Sequence, residues 1–246
     1  LISNSSRYLL HYRFLLLKKL KNYYKDVFVI APFDNSSKAI SEFATYKEWR
    51  LFTNRNLNFW NLIESLIALF SEIKNLKPDL VHTHTLKPNF LVSIINCFFC
   101  INSIVSFAGM GRLSNAKGIK LLLLKFILRT IYYTSIYQIN NYIFFKKNLS
   151  RVRFIFQNPL DLKLFLNFVN VQYDENIFHL IPGSGVPEKY FNSIKEKKYE
   201  NNIIDFIYCA RLEKSKGINI FLELSSYYPN SRFYIYGELN VKSKEQ

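Results

Sequence analysis

The sequence predicts an α/β protein, parallel sheet layered with helices in two doubly wound domains, and three observations carry that expectation. Short runs rich in Ile, Val and Phe alternate with longer helical segments along most of the chain, as strand–helix–strand crossovers require. Near residue 186 the text changes to GSGVPEKYF and the charged run KEKKYENN, which reads as a surface connection. After it a new strand, IIDFIYCA, opens a second series. The chain therefore divides into domains 1–185 and 186–246, the second only partly present, because two strands and one helix do not bury a core alone.

In chain order, Leu1 and Ile2 before SNSS read as the tail of a strand, with the chain trimmed at both ends. Leucines spaced at helical period predict a helix over Tyr8–Tyr24. The β-branched runs DVFVIAP and DLVHTH predict strands over Asp26–Pro32 and Asp79–His84, separated by a helix over Asn58–Leu76. A helix over Pro88–Phe99 follows, with proline in its first turn, then a strand over Ser103–Ala108 and a helix over Ile119–Tyr137. NYIFF and RFIFQN give strands Asn141–Phe145 and Arg153–Asn158; Pro159 then opens a helix to Val169, and FHLIPG gives a strand over Phe178–Gly183. The second series reads as strand Ile203–Ala210, helix Ile218–Tyr228 and strand Arg232–Tyr236.

Roughly half of the 246 residues are apolar and the formal charge is +15, so the chain holds a substantial core and attracts anions. The Lys and Arg residues are spread along the sequence, and none of the common nucleic-acid signatures is present, which argues against a nucleic-acid partner. Cys97, Cys100 and Cys209 make no disulfide framework, and with no signal peptide visible a reduced cytoplasmic compartment is expected. Cys97-x-x-Cys100 lies in apolar text with no second pair or nearby His, so it reads as core and no metal is expected. The apolar stretch Leu91–Phe107 is broken by Asn96 and Asn102 and falls short of the about 20 residues of a membrane-spanning helix.

Five local signals could carry chemistry. ARLEKSKG places Arg211, Lys216 and Gly217 between a strand's C-terminal end and a helix start, where an Arg fork, a Lys charge and helix N–H groups suit a diphosphate; a solvated basic loop is the competing reading. HTHTLKPN puts His82 and His84 on one side of a strand end, able to take or orient a proton, or simply polar residues without a role. FAGMGRL, with Gly109 and Gly111, permits close backbone approach to a ligand or a tight turn. PGSGVP, with Ser184 and Gly185, lines a cleft or links domains. In QNPLD, Asn158 either faces the cleft or caps the helix that begins at Pro159.

Taken in order, VHTHTLKPN, FAGMG, FIFQNPLD followed by Phe165, LIPGSGV followed by Tyr190 and Phe191, and ARLEKSKG resemble bacterial glycosyltransferase family 4. The opening SNSSRYLLHYRFLLLKKL resembles the start of its polysaccharide and lipopolysaccharide members, with Arg13 in the place of their first-helix arginine. The resemblance implies the GT-B architecture: two Rossmann-like domains, acceptor mainly on the first and nucleotide sugar mainly on the second. It implies a retaining transferase that moves a sugar, from a UDP-sugar or similar donor, to a lipid-linked or polysaccharide acceptor without cofactor or metal. Arg211, Lys216 and Gly217 would hold the donor diphosphate. His84, or His82 in the other register, would lie at the reacting sugar. Gly109, Gly111, Asn158, Ser184 and Gly185 would lie in the cleft loops.

Pro187 replaces an acidic residue usual after GSGV, and Cys209-Ala210 replaces the usual glycine before the arginine. The family's two glutamates, seven residues apart, belong downstream of Gly237, so this chain is expected to be truncated and inactive by itself. A non-catalytic acceptor-binding remnant is the alternative function. The helix Lys117–Tyr133 and the first helix mix leucines with Lys and Arg, which suits either peripheral attachment to an anionic membrane face or core packing with the cations in water.

Overall fold

The computed structural model describes residues 1–49, 59–99, 101–110, 119–141, 152–186, 188, 191 and 203–238. The chain divides into two compact units, Leu1–Pro187 and Glu188–Gln246.

The first unit is a seven-stranded parallel sheet in the order β3-β2-β1-β4-β5-β6-β7. Its elements are β1 (Ile2–Ser3), α1 (Ser6–Tyr12), α2 (Phe14–Tyr23), β2 (Phe28–Ala31), α3 (Ser37–Ser41), β3 (Thr45–Glu48), α4 (Phe59–Leu76), β4 (Val81–His84), α5 (Leu86–Phe98), β5 (Ser103–Phe107), α6 (Ile119–Asn141), β6 (Val152–Phe156), α7 (Pro159–Val169) and β7 (Phe178–Leu180). Strand alternation sends neighbouring residues to opposite faces. On β2, Val29 and Ala31 pack with Leu9, Leu17 and Ile40 of α1–α3, while Ile30 joins Leu69, Ile73, Leu91 and Ile95 of α4 and α5. Helices thus cover both faces. A third cluster joins Val105 and Phe107 of β5 and Phe154 and Phe156 of β6 to α6 and α7 through Tyr132 and Phe165.

Strand order reverses at β1: the chain runs outward through β2 and β3, then returns to set β4 on the other side. In such sheets the crevice beyond the carboxyl ends of the two strands flanking the reversal is where ligands bind. Here those ends are Ser3 and His84.

The expected α/β class holds, with local departures. The helix expected over Tyr8–Tyr24 is interrupted at Arg13, whose backbone (φ −128°, ψ 8°) ends α1 and begins α2. No Pro or Gly marks the break; tertiary bonds from the Arg13 side chain, described below, accompany it. Helix α3 and edge strand β3 are additional. β3, TYKE, is short and half exposed, so it lacks an apolar run, as an edge strand permits. The strand expected at Asn141–Phe145 is corrected at its first residue: α6 continues to Asn141, carried by the buried stripe Leu128, Tyr132 and Ile136 with no Gly or Pro to stop it. Residues 142–145 lie outside the described residues. β7 stops at Leu180, two residues before Pro182.

The second unit pairs β8 (Asp205–Cys209) and β9 (Arg232–Tyr236) in parallel across α8 (Ile218–Tyr227), with a 3₁₀ turn at Lys214–Lys216.

Candidate active site

At the sheet reversal, alternation along VHTH turns His82 and His84 to one side, their ring centroids 4.1 Å apart. His82 Nε2 lies 2.7 Å from Ser106 Oγ on the neighbouring strand β5, and burial, the largest cause, lowers its pKa to about 3. His84 is 1% exposed. Its Nδ1 accepts a hydrogen bond from Arg13 Nε at 3.3 Å. A guanidinium is always protonated, so the His84 proton resides on Nε2, which is buried with no hydrogen-bond partner among the described residues. Burial first, then His82 and Arg13, hold the His84 pKa well below its ordinary value. The imidazole is therefore neutral, and in this arrangement it offers a donor, not the lone pair a general base requires.

Arg13 reaches this point because the helix breaks there. Its Nη1 donates to Ser184 Oγ at 2.9 Å across 171 residues of sequence, and the guanidinium lies 5.7 Å from the Tyr8 ring centroid, a cation–π contact. Ser184 sits between Gly183 (φ 66°) and Gly185 (φ 74°), left-handed positions that let the loop after β7 turn tightly. Thr85, which precedes α5 without a side-chain capping bond, is also in positive φ, at 75°, a costly conformation for a β-branched residue. Among the described residues no group of three His, Cys, Asp or Glu side chains could hold a metal ion.

Of the cleft-loop residues, Asn158 caps α7: Oδ1 accepts from Asp161 N at 2.7 Å and Nδ2 donates to Asp161 Oδ2. Asp161 Oδ1 in turn accepts from Met110 N at 3.2 Å, pinning the FAGMG loop to the helix start. Gly109 needs no special backbone, and a methyl there would come no nearer than 4.0 Å to Asp161. Gly111 lies outside the described residues. The structure thus joins Arg13, His84 and Ser184 directly and keeps Asn158 and Gly109 in a separate cluster around Asp161. Sequence reading missed Tyr8, Thr85, Ser106 and Asp161. Only Asp161, three residues after a capping Asn, carried a signal.

A broad groove of about 1050 Å³ lined by Tyr133, Asn170, Asp174 and Phe178 lies at the opposite, N-terminal end of β7, away from the reversal. Among the described residues its lining includes Asp174 and Glu175 and no Lys or Arg, so the strand-end site is the better candidate for an anion.

In the second unit, Arg211 and Lys216 follow β8, and Gly217 (φ 77°) caps the start of α8. Arg211 is exposed and pairs with Glu213 at 2.9 Å. Lys216 is exposed in the 3₁₀ turn. Both cations stand at a strand end beside a helix N-terminus, where a phosphate is favoured.

No curated protein matches the chain. Three solved structures share its fold: a glycosyltransferase from Rickettsia africae ESF-5 (TM-score 0.65, 15% identity, 97% of this chain and 60% of that one), a sucrose-phosphate synthase from Thermosynechococcus elongatus (0.62, 12%, 95% and 57%) and the glycotransferase of kitacinnamycin (0.56, 12%, 99% and 66%). The chain spans about 60% of the length of the first two. At these identities the likeness is one of fold, and it assigns the α/β architecture to the GT-B class. The family model described as glycosyl transferase 4-like matches residues 1–140, the stretch that contains Arg13, His82 and His84, and the chain belongs to that family.

Proposed function

We propose that the protein is a retaining glycosyltransferase that moves a sugar from a nucleotide-diphosphate donor to a lipid-linked or glycan acceptor. The observation that carries this reading is the neutral His84 donor, fixed by Arg13 at the reversal of a parallel sheet. Such a donor orients a sugar or acceptor oxygen without itself changing charge. Arg211 and Lys216 would neutralise the departing diphosphate, which removes the need for a divalent cation. Preorganised cations of this kind supply on the order of several kcal/mol of transition-state stabilisation.

Peripheral attachment to an anionic membrane face belongs to the same reading. No helix among the described residues is long and apolar enough to cross a membrane. On α6, Leu122, Phe126, Arg129 and Tyr133, spaced as one stripe, are exposed, while Leu128, Tyr132 and Ile136 enter the core. This favours surface contact over core packing for the outer stripe.

The test is sugar transfer by the full-length protein with a panel of nucleotide sugars and a membrane lipid extract. Arg211→Ala and Lys216→Ala are each expected to lower kcat/KM at least about a hundredfold, the scale of lost charge stabilisation, and Lys214→Ala less than about threefold. Equal losses from all three would sink the diphosphate assignment. Absence of transfer with every donor, while the fold is intact, would favour the non-catalytic acceptor-binding alternative.

A further inference from the structure

The groups gathered around Arg13 accept from it, and what they and the guanidinium leave over is donor capacity, which restricts what the cluster receives. The guanidinium spends Nε on His84 and Nη1 on Ser184 and the Tyr12 carbonyl, and no carboxylate among the described residues pairs with it. Ser184 Oγ accepts from Arg13, which leaves its hydroxyl proton to donate elsewhere. The buried His84 Nε2–H has no partner among the described residues and faces away from Arg13, which is bonded at Nδ1. The two imidazoles are held neutral beside a permanent cation, so the local field is positive. The start of α5, directly after Thr85, adds the positive end of a 13-residue helix.

A sugar ring would present hydroxyl protons as well as oxygens and would call for carboxylate or amide acceptors. A phosphate presents oxygens alone and carries the opposite charge, so it satisfies the guanidinium and Ser184 O–H together, while His84 Nδ1 holds the fork in place. We propose that the Arg13–His84–Ser184 cluster binds the phosphate of a lipid-linked acceptor. This rests on the transferase reading, and it places the phosphate on the first unit, distinct from the donor diphosphate expected at Arg211 and Lys216. Arg13 and Ser184 then act by binding acceptor, and they set KM for acceptor more than for donor.

The experiment follows the His84 side-chain ¹⁵N resonances of the full-length protein, assigned with His84→Gln, during titration with a water-soluble short-chain prenyl phosphate, the matching prenyl alcohol, inorganic phosphate and UDP. Prenyl phosphate and inorganic phosphate are expected to move the His84 Nδ1 signal, which reports on its bond from Arg13, saturably, and the alcohol to leave it in place. Arg13→Gln should weaken prenyl phosphate at least roughly tenfold, the weight of a charge-assisted hydrogen bond. Arg13→Lys, which keeps the charge but not the fork, should fall between, and Ser184→Ala should weaken binding less; amide spectra verify that each variant is folded. Undiminished binding in folded Arg13→Gln, or an equal response to the alcohol, overturns the proposal. Displacement of prenyl phosphate by UDP in an Arg13-dependent manner overturns it too, by assigning the cluster to the donor. The two readings fail separately: phosphate bound without any sugar transfer removes the transferase and keeps the site, and transfer insensitive to Arg13 removes the site and keeps the transferase.

Discussion

Two buried histidines beside an arginine make stability depend on pH in a defined direction. Both folded pKa values lie below the ordinary 6.5, His82 at about 3. For a base depressed in this way the native state binds fewer protons than the unfolded chain below the unfolded pKa, so the stabilisation of the neutral form is complete above about 6.5 and is lost as pH falls below it. Each histidine contributes a slope of up to about 1.4 kcal/mol per pH unit in that window. Urea midpoints should therefore drop between pH 7 and pH 5 by more in the wild type than in a His82→Gln/His84→Gln variant; parallel drops would mean that the imidazoles are not held neutral. Glycines separate in the same way. A methyl on Gly237 would lie 2.0 Å from the Ala210 carbonyl oxygen, so Gly237→Ala forces apart the ends of β8 and β9 just before Arg211, whereas Gly109→Ala meets only ordinary contact. Limited proteolysis should cut the second unit of Gly237→Ala faster than wild type and leave Gly109→Ala unchanged. Equal resistance in both variants would contradict the close approach of Gly237 to Ala210.

At the scale of elements, α7 shows how local signals and packing agree. Asn158 caps it, Pro159 opens it, and Phe165 at its centre is fully buried against the rings of Phe107, Tyr132, Phe154, Phe156 and Phe178. Phe165→Ala should cost about 3–5 kcal/mol, read as a lowered denaturation midpoint with an unchanged slope; a loss under about 1 kcal/mol would show that the cluster closes around the gap. Such an element is legible because cap, proline and periodicity fall within one window. The strands of β4, β5 and β6 are legible as short β-branched and aromatic runs bounded by polar turns. The break at Arg13 is not, because its cause lies at His84 and Ser184, far away in sequence. β3 escapes for the opposite reason: an exposed edge strand has little to bury. The site divides likewise. His82 and His84 announce themselves by spacing, but the partner that fixes the tautomer of His84 is visible only once the chain has folded.

Across the whole molecule, the same cationic excess that suits phosphates also bears on where the protein works. A formal charge of +15 draws a protein toward anionic lipid within a Debye length, at about 1 kcal/mol per basic residue near the surface. Charge alone gives contact that salt abolishes, whereas inserted apolar side chains add a component that salt leaves. The exposed α6 stripe supplies Leu122 and Phe126 for insertion and Arg129 for the headgroups. Cosedimentation with vesicles of mixed neutral and anionic lipid should thus show binding that weakens but persists at 0.5 M salt, about 4 Å in screening length. Leu122→Ser/Phe126→Ser should remove the salt-resistant fraction and leave much of the low-salt binding. Vesicles of neutral lipid alone should bind little. If the double variant binds like wild type at both salt concentrations, the stripe has no part in attachment, and an acceptor with a lipid anchor would have to reach the strand-end site by leaving the bilayer.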